Sequence, residues 1–322
     1  MLNERGRLIF ATALIAAGLA CGGKQGGVSD ESAAVPKPSA VILDTVIDGD
    51  ILGEPLSAPY GVAVDFRGSI YITDAGNHRV ISLSHQLAPR DDIGGYGSAP
   101  GLLNRPGFIS VDNGLNVLVA DRGNTRVCRF NSRLQFVNEL TLLTFDDPVL
   151  FGQPSGVALT DYGEIWVADR DKDRVALFDN TDRFDRFIAE FGYSGGQVSS
   201  PEKIAPDGRG GFLLCDAGNS RVSRYDRFGN FAGAFGEKVF RYPVAATVDR
   251  ALRVWVVDRD LPALLCFDPA GRLIFELQSR ILGADHSFAD ITDIAAMSDG
   301  RLILCDSPHN RLLIGRVLND GE

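Results

Sequence analysis

Three of the four histidines in this 322-residue chain stand where they could bind one metal ion together. His78 and His309 lie in two copies of a repeated turn, and His286 lies in the segment that leads into the last repeat. Imidazole is the commonest metal-binding side chain, and three such ligands with one open position suit catalytic zinc. The three histidines therefore predict a site for zinc or calcium, provided that the fold brings the first and last repeats together.

The simpler interpretation, which we prefer, is that these are isolated surface histidines, so no metal or other cofactor is expected and the zinc or calcium site is the alternative. The fourth histidine, His85, is expected on the opposite face of the repeat array. The sequence contains no Cys-x-x-Cys pair, no Gly-x-Ser-x-Gly elbow and no phosphate-cradling glycine loop. Four cysteines replace small or apolar residues on predicted strands, so we expect buried thiols at Cys128, Cys215, Cys266 and Cys305.

The repeated turn itself contains charged residues at fixed positions. Its first copy reads Asp74-Ala75-Gly76-Asn77-His78-Arg79, and the leading aspartates of successive copies lie 47, 48, 47, 42 and 48 residues apart. Asp, Gly and Asn suit tight turns because they tolerate left-handed backbone and cap free amides. An arginine in nearly every copy can pair with the aspartate.

A function rarely needs many copies of one ion pair, so we predict that these residues stabilise the turns; a ligand-binding ring of arginines is the alternative. The turn residues in question are Asp74, Asn77, Arg79, Asp121, Asn124, Arg126, Asp169, Arg174, Asp216, Asn219, Arg221, Asp306 and Arg311.

The segments around each turn predict an all-β fold. Each period of about 45 residues contains short runs rich in β-branched residues, such as Ile70-Tyr71-Ile72-Thr73 before the turn and Arg79 to Leu83 after it. Four antiparallel strands per period are typical of a propeller blade. Six periods therefore predict a six-bladed β-propeller over residues 40–318, with Trp166 and Trp255 in its core.

The last period lacks a fourth strand, because the chain ends soon after its third run, Arg311 to Val317. A candidate precedes the first blade at Val41 to Val46. Pairing these two segments would remove an exposed sheet edge. We therefore predict that the N-terminal strand completes the last blade and closes the ring, which makes the first and sixth blades neighbours.

Residues 1–21 have the features of an export signal. Arg5 and Arg7 precede an apolar run from Leu8 to Leu19, which is too short for a permanent membrane helix. Cys21 follows a small-residue cleavage site and resembles the acylated cysteine of bacterial lipoproteins; ordinary signal-peptide cleavage is the alternative. Residues 22–39, rich in Gly, Ser, Lys and Pro, are expected to form a flexible linker. These features predict an exported protein of the cell envelope with a lipid anchor at Cys21.

The composition limits the partners. The chain is 45% hydrophobic and has a formal net charge of −10, which describes a globular and acidic protein. Nucleic-acid binding depends on basic patches, so no nucleic-acid partner is expected. An acidic protein would instead attract a basic partner, through faster association more than through affinity.

Several segments together resemble the NHL repeat. They include Pro59 to Asp65, Gln153 to Ala158 and Glu164 to Asp169, and the Phe-Gly pairs Phe191-Gly192 and Phe235-Gly236 resemble the ends of its fourth strands. The similarity extends over about residues 41–317, although the fifth period has Leu261-Pro262-Ala263 in place of the Gly-Asn-x-Arg segment. It implies a six-bladed propeller far more firmly than it implies an activity.

NHL propellers serve as scaffolds that bind protein or RNA, and related six-bladed propellers include lactonases and amidating lyases, which hold a metal with histidines from several blades. By resemblance, the first hypothesis is a binding module that presents its loop-lined face to a protein or an extended ligand. The alternative is a metal-dependent lyase or hydrolase that uses His78, His286 and His309.

Overall fold

The computed structural model describes residues 35–112, 116–140, 151–160, 162–278, 288 and 291–320. These residues form six four-stranded antiparallel sheets and one short hairpin. The first strand of each blade packs beside the first strands of its two neighbours, so the six first strands surround a central channel. The predicted six-bladed β-propeller is confirmed.

The first three blades follow one another along the chain. Blade one consists of β4 (Pro59–Val64), β5 (Ile70–Asp74), β6 (Arg79–Leu83) and β7 (Pro89–Gly94). Blade two consists of β8 (Pro106–Val111), β9 (Asn116–Asp121), β10 (Arg126–Asn131) and β11 (Phe136–Leu140). Blade three consists of β12 (Pro154–Leu159), β13 (Ile165–Asp169), β14 (Arg174–Phe178) and β15 (Phe184–Ala189).

The remaining blades include the strand that closes the ring. Blade four consists of β16 (Pro201–Pro206), β17 (Phe212–Asp216), β18 (Arg221–Tyr225) and β19 (Phe231–Phe235). Blade five consists of β20 (Pro243–Val248), β21 (Val254–Asp258), β22 (Ala263–Phe267) and β23 (Leu273–Gln278). Blade six consists of β24 (Ile291–Ala296), β25 (Arg301–Asp306), β26 (Arg311–Asn319) and β1 (Pro38–Ile47). The hairpin is formed by β2 (Asp50–Ile51) and β3 (Glu54–Pro55).

The hydrophobic core lies between neighbouring blades. Each of the six buried apolar clusters consists mainly of residues of two adjacent sheets, as in the cluster that holds Leu118 of blade two and Val167 of blade three. A sheet packed on both faces has apolar side chains on both sides, which explains why the second strands read as continuous apolar runs. Trp166 and Trp255 are buried there as predicted.

The ring closes through the N-terminal strand, as the sequence predicts. In the antiparallel pair of β1 and β26, Val41 lies opposite Val317 and Val46 lies opposite Leu313. β1 begins at Pro38, so the last two residues of the predicted linker, 38 and 39, belong to the propeller. Because this pairing joins the two ends of the described chain, blade six shares a packed interface with blade one.

The predicted export signal, Cys21 and most of the linker lie outside the described residues. Among the residues that the structure does describe, no helix is long and apolar enough to cross a bilayer.

Candidate functional site

The turn between the second and third strand of a blade is held by its aspartate. In blade two, Oδ1 of Asp121 accepts a hydrogen bond from the backbone N–H of Asn104 at 2.7 Å. Its Oδ2 accepts from Nε of Arg126 at 2.9 Å and from Nδ2 of Asn124 at 2.7 Å. The carboxylate is buried, and every hydrogen bond in this set joins atoms of the turn or of the connection that precedes blade two.

The same ion pair recurs around the ring. Nε of the arginine lies 2.6–3.1 Å from Oδ2 of the aspartate in five blades, in the pairs Arg79–Asp74, Arg126–Asp121, Arg174–Asp169, Arg221–Asp216 and Arg311–Asp306. Blade five has Ala263 at the arginine position. Asn77 and Asn219 also donate to their turn aspartates. A buried pair with this many internal hydrogen bonds orders the turn.

The turns also bond to the next blade. In three of the turns the last residue, which has left-handed backbone, has a side chain that accepts from the backbone N–H of the residue before the next first strand. This occurs between Asn310 and Ala58 at 2.7 Å, between Asp173 and Ser200 at 2.6 Å, and between His78 and Arg105 at 3.0 Å. Nδ1 of His78 therefore has the same role as the acceptor oxygens of Asn310 and Asp173.

The second histidine of the predicted metal site replaces a different turn residue. His309 occupies the position of Asn77, and its Nδ1 lies 2.7 Å from Oδ1 of Asp306. In both His78 and His309, Nε2 is the nitrogen that a metal ion could take.

The structure describes only two of the three predicted metal ligands, because His286 lies outside the described residues. His85 lies near Asp299 at 3.1 Å, in the turns of the opposite face, as expected. Within the described ranges, no group of three or more His, Cys, Asp or Glu side chains is arranged to hold a metal ion. The three-histidine site stays a prediction.

The turn face, the face that carries the six repeated turns, has a charged centre that the sequence analysis did not single out. We call it the central cluster: Tyr60, Arg122, Arg170, Glu202, Tyr242 and Arg259. Oε1 of Glu202 lies 3.2 Å from Nη1 of Arg170, 3.4 Å from Nη2 of Arg259 and 3.5 Å from the hydroxyl of Tyr242. Five blades contribute to the central cluster, so it exists only in the closed ring.

Two tyrosines position the arginines of the central cluster. The guanidinium carbon of Arg122 lies 4.4 Å from the ring centre of Tyr60, and that of Arg259 lies 4.4 Å from the ring centre of Tyr242. Such cation–π contacts orient a guanidinium group without neutralising its charge. Gly107 makes room for Arg122, because a Cβ atom at this position would lie 2.3 Å from Cδ of the arginine.

The charges of the central cluster do not balance. The central cluster contains three guanidinium groups and one carboxylate, which leaves two positive charges among these side chains. Burial raises the pKa of Glu202, although the guanidinium groups around it act in the opposite direction. Burial and the charge of Glu202 also raise the pKa of Tyr60, so its hydroxyl stays protonated. The arrangement can donate several hydrogen bonds to a ligand.

A buried ion pair lies next to the central cluster in the channel. Nζ of Lys203, on β16, lies 2.5 Å from Oδ1 of Asp293, on β24, and 2.8 Å from the carbonyl oxygen of Ile294. The remaining carboxylate oxygen of Asp293 accepts from the backbone N–H of Val62 on β4. Lys203 also lines a cavity of about 260 Å³ together with Ala63, Ser110, Thr247 and other residues of the first strands.

Exposed aromatic side chains also lie on the turn face. Tyr96, Phe191 and Tyr193 lie in the connections that lead into blades two and four, and all three are exposed. The repeated arginines hold these connections in place: Arg126 donates to the carbonyl oxygens of Ser98 and Leu102, both at 2.8 Å.

A comparison of the repeats position by position would have found the central cluster. The residue after each turn aspartate is Ala75, Ala217 or Ser307 in three blades, but it is Arg122, Arg170 or Arg259 in the other three. Glu202 and Lys203 likewise stand where blade three has Ser155 and Gly156. These departures from the repeat mark the central cluster in the sequence.

Comparisons with known proteins agree with this architecture. Residues 103–130 match the NHL repeat. The match covers most of blade two, which includes the turn Asp121 to Arg126 and therefore supports the resemblance seen in the sequence.

Two curated relatives share part of the chain. Protein brain tumor of Drosophila melanogaster is 29% identical over 126 residues, which are 38% of this chain and 12% of that protein. A Caenorhabditis elegans protein named as a probable peptidyl-alpha-hydroxyglycine alpha-amidating lyase, pgal-1, is 25% identical over 134 residues, which are 37% of this chain and 36% of that protein. The chain thus spans only a minor part of either relative.

Solved structures show the same fold. A streptogramin B lyase superimposes with a TM-score of 0.62 at 14% identity, over 83% of this chain and 96% of the lyase. A similarity of this kind supports a common architecture and leaves the activity open.

Proposed function

We propose that this chain is an exported, lipid-anchored binding module whose turn face holds a partner protein or an extended ligand. One observation carries the proposal: the turn face combines exposed aromatic side chains with a central cluster of three partly exposed arginines. Aromatic residues and arginine are enriched at the centres of protein interfaces, where they contribute most of the binding energy. The sequence of residues 1–21 supports the export signal and the anchor at Cys21.

Site-specific photocrosslinking in the full chain tests the binding face. A benzoylphenylalanine that replaces Tyr96 should form one specific adduct in the cell envelope. The matched control replaces Phe66, an exposed aromatic residue in the turn between β4 and β5 on the opposite face. Equal adducts from both positions, or none from Tyr96, would rule out the turn face as the binding surface.

Labelling with an alkyne-bearing fatty acid tests the anchor. The wild-type chain should carry the label and fractionate with membranes. Cys21→Ser should lose both properties while the propeller stays folded. Label that persists in this variant would contradict lipidation at Cys21.

The second candidate function is a metal-dependent lyase or hydrolase, which the sequence similarity to the amidating lyase pgal-1 favours. It predicts about one equivalent of zinc or calcium bound through His78, His286 and His309. The sharpest variant is His309→Asn, because an asparagine at the matching position of blade one donates to the turn aspartate. His309→Asn should therefore remove a metal ligand and keep the turn.

Elemental mass spectrometry of the full chain decides between the candidates. Metal that is present in the wild type and lost in His309→Asn would support the enzyme. A metal-free chain whose melting temperature does not respond to added zinc or calcium would exclude this candidate.

A further inference from the structure

The central cluster gathers more positive charge than its own carboxylate neutralises. Arg170 and Arg259 form ion pairs with the one carboxylate, Glu202, and the charge of Arg122 also acts on it. Within the described residues, Nε of Arg122 and Oε2 of Glu202 are both buried without a hydrogen-bond partner. Uncompensated guanidinium groups with fixed orientations are suited to oxyanions, which they bind through paired N–H donors. We propose that the central cluster is a binding site for an oxyanion group, a carboxylate or a phosphate, carried by the ligand of the turn face.

The arginines are accessible as well as oriented. The side chain of Arg170 is 28% exposed and that of Arg259 is 43% exposed, whereas that of Glu202 is 1% exposed. An incoming oxyanion therefore meets guanidinium groups first and the carboxylate lies beneath them. Because the cation–π contacts already order Arg122 and Arg259, binding costs little further side-chain entropy.

Glu202 competes with the ligand for the same arginines. Its Oε1 is shared by Arg170 and Arg259, so an oxyanion that approaches these arginines replaces or supplements that interaction. The carboxylate also repels a second negative charge at short range. Removal of its charge should therefore tighten oxyanion binding, an effect that a cluster serving only to stabilise the ring would not produce.

This inference rests on the proposed binding function and specifies the chemistry at its centre. It also differs from what the net charge alone predicts. A chain with a formal charge of −10 should favour basic partners, whereas the middle of the turn face favours an acidic group.

Isothermal titration of the full chain, in a buffer without oxyanions, tests the site. The probes are acetyl-trialanine with a free carboxylate, the same peptide with a C-terminal amide, and inorganic phosphate. We expect saturable binding of the free-carboxylate peptide or of phosphate, and at least about tenfold weaker binding of the amide peptide, since hydrogen bonds to charged groups contribute that much. The two oxyanion probes tell carboxylate ligands from phosphate ligands.

Two substitutions at the site and one away from it complete the test. Arg259→Gln should lower the affinity for the oxyanion about tenfold, and Glu202→Gln should raise it. The matched control is Arg272→Gln, an arginine whose side chain is 82% exposed in the turn between β22 and β23 on the opposite face. It should leave the affinity unchanged. Circular dichroism checks that each variant is folded.

The result can contradict this inference without contradicting the binding module. Absence of oxyanion binding, equal binding of the amide peptide, or an unchanged affinity in Arg259→Gln would overturn the oxyanion site. Crosslinking through position 96 would still report whether the turn face binds a partner, because Tyr96 lies outside the central cluster.

Discussion

Lys203 of blade four and Asp293 of blade six form an ion pair within the channel, with Nζ 2.5 Å from Oδ1 and both side chains almost completely buried. Their strands are not neighbours, since β20 of blade five lies between β16 and β24 around the ring. The pair therefore links two blades that share no packed interface. Asp293 also accepts the N–H of Val62, which extends the link to blade one.

Removal of one partner of this pair should be strongly destabilising. Lys203→Met leaves the Asp293 carboxylate buried without its counter-ion, and we expect a loss of about 3–5 kcal/mol in the free energy of unfolding. The double variant Lys203→Met with Asp293→Asn removes both charges and should recover much of that loss. Urea denaturation at constant pH measures both. A double variant no more stable than the single one would show that the charges are not coupled.

Loss of the arginine from the repeated aspartate–arginine pair should cost several kcal/mol in each of the five blades that contain the pair. Arg126→Ala leaves Asp121 buried and unpaired and removes the donors to Ser98 and Leu102, so we expect a loss of about 3–5 kcal/mol. Arg316→Ala is the matched control, because Arg316 pairs with Asp44 on the exposed edge of blade six. An exposed pair is worth about 0–1 kcal/mol.

Chemical denaturation of both arginine variants measures the difference. Proteolysis within residues 95–104 should also be faster in Arg126→Ala, since this connection loses its carbonyl contacts. Equal stability of the two variants would argue against the turn pair as a major stabilising interaction.

Gly156 should be intolerant of a side chain. A Cβ atom at this position would lie 2.3 Å from the carbonyl oxygen of Glu202, because β12 and β16 approach closely around the channel. Gly156→Ala should therefore cost about 1–3 kcal/mol by overpacking. Gly49→Ala is the control, since no atom lies within 4 Å of the added carbon. Thermal unfolding should separate the two variants; a fully stable Gly156→Ala would mean that the strands can move apart freely.

The four described cysteines should be chemically inert in the folded protein. All four are buried and free, and burial raises the pKa of the Cys128 thiol to about 12. Burial raises the pKa of Cys215 and Cys305 as well. The thiolate is the reactive form, so little of it exists at neutral pH.

A thiol-exchange assay checks this prediction. In a Cys21→Ser background, Ellman's reagent at pH 8 should label no thiol of the native chain and four thiols in guanidinium chloride. Native-state labelling of any of the four would show that a blade interface opens on the timescale of the assay.

Much of the fold was predictable because it repeats. The turn from Asp74 to Arg79 recurs with nearly constant spacing, and each copy marks a second and a third strand. Closure of the ring was predictable because the last period lacks a fourth strand, whereas an additional strand, Val41 to Val46, precedes the first blade. The fourth strand of blade one, β7 (Pro89–Gly94), has no apolar run that would reveal it in the sequence, because an outer strand packs on few neighbours.

The local sequence determined each blade, since turn chemistry and strand pattern act over a few residues. The central cluster was decided by tertiary structure alone. Arg122, Arg170 and Arg259 are far apart in the sequence, and each looks like one more turn residue. Arg170 and Arg259 contact Glu202, and the charge of Arg122 acts on it, only because six similar blades close into a ring, which brings equivalent positions of every repeat to one axis. The net charge near that axis is the sum of side chains from several blades, so no single repeat contains it.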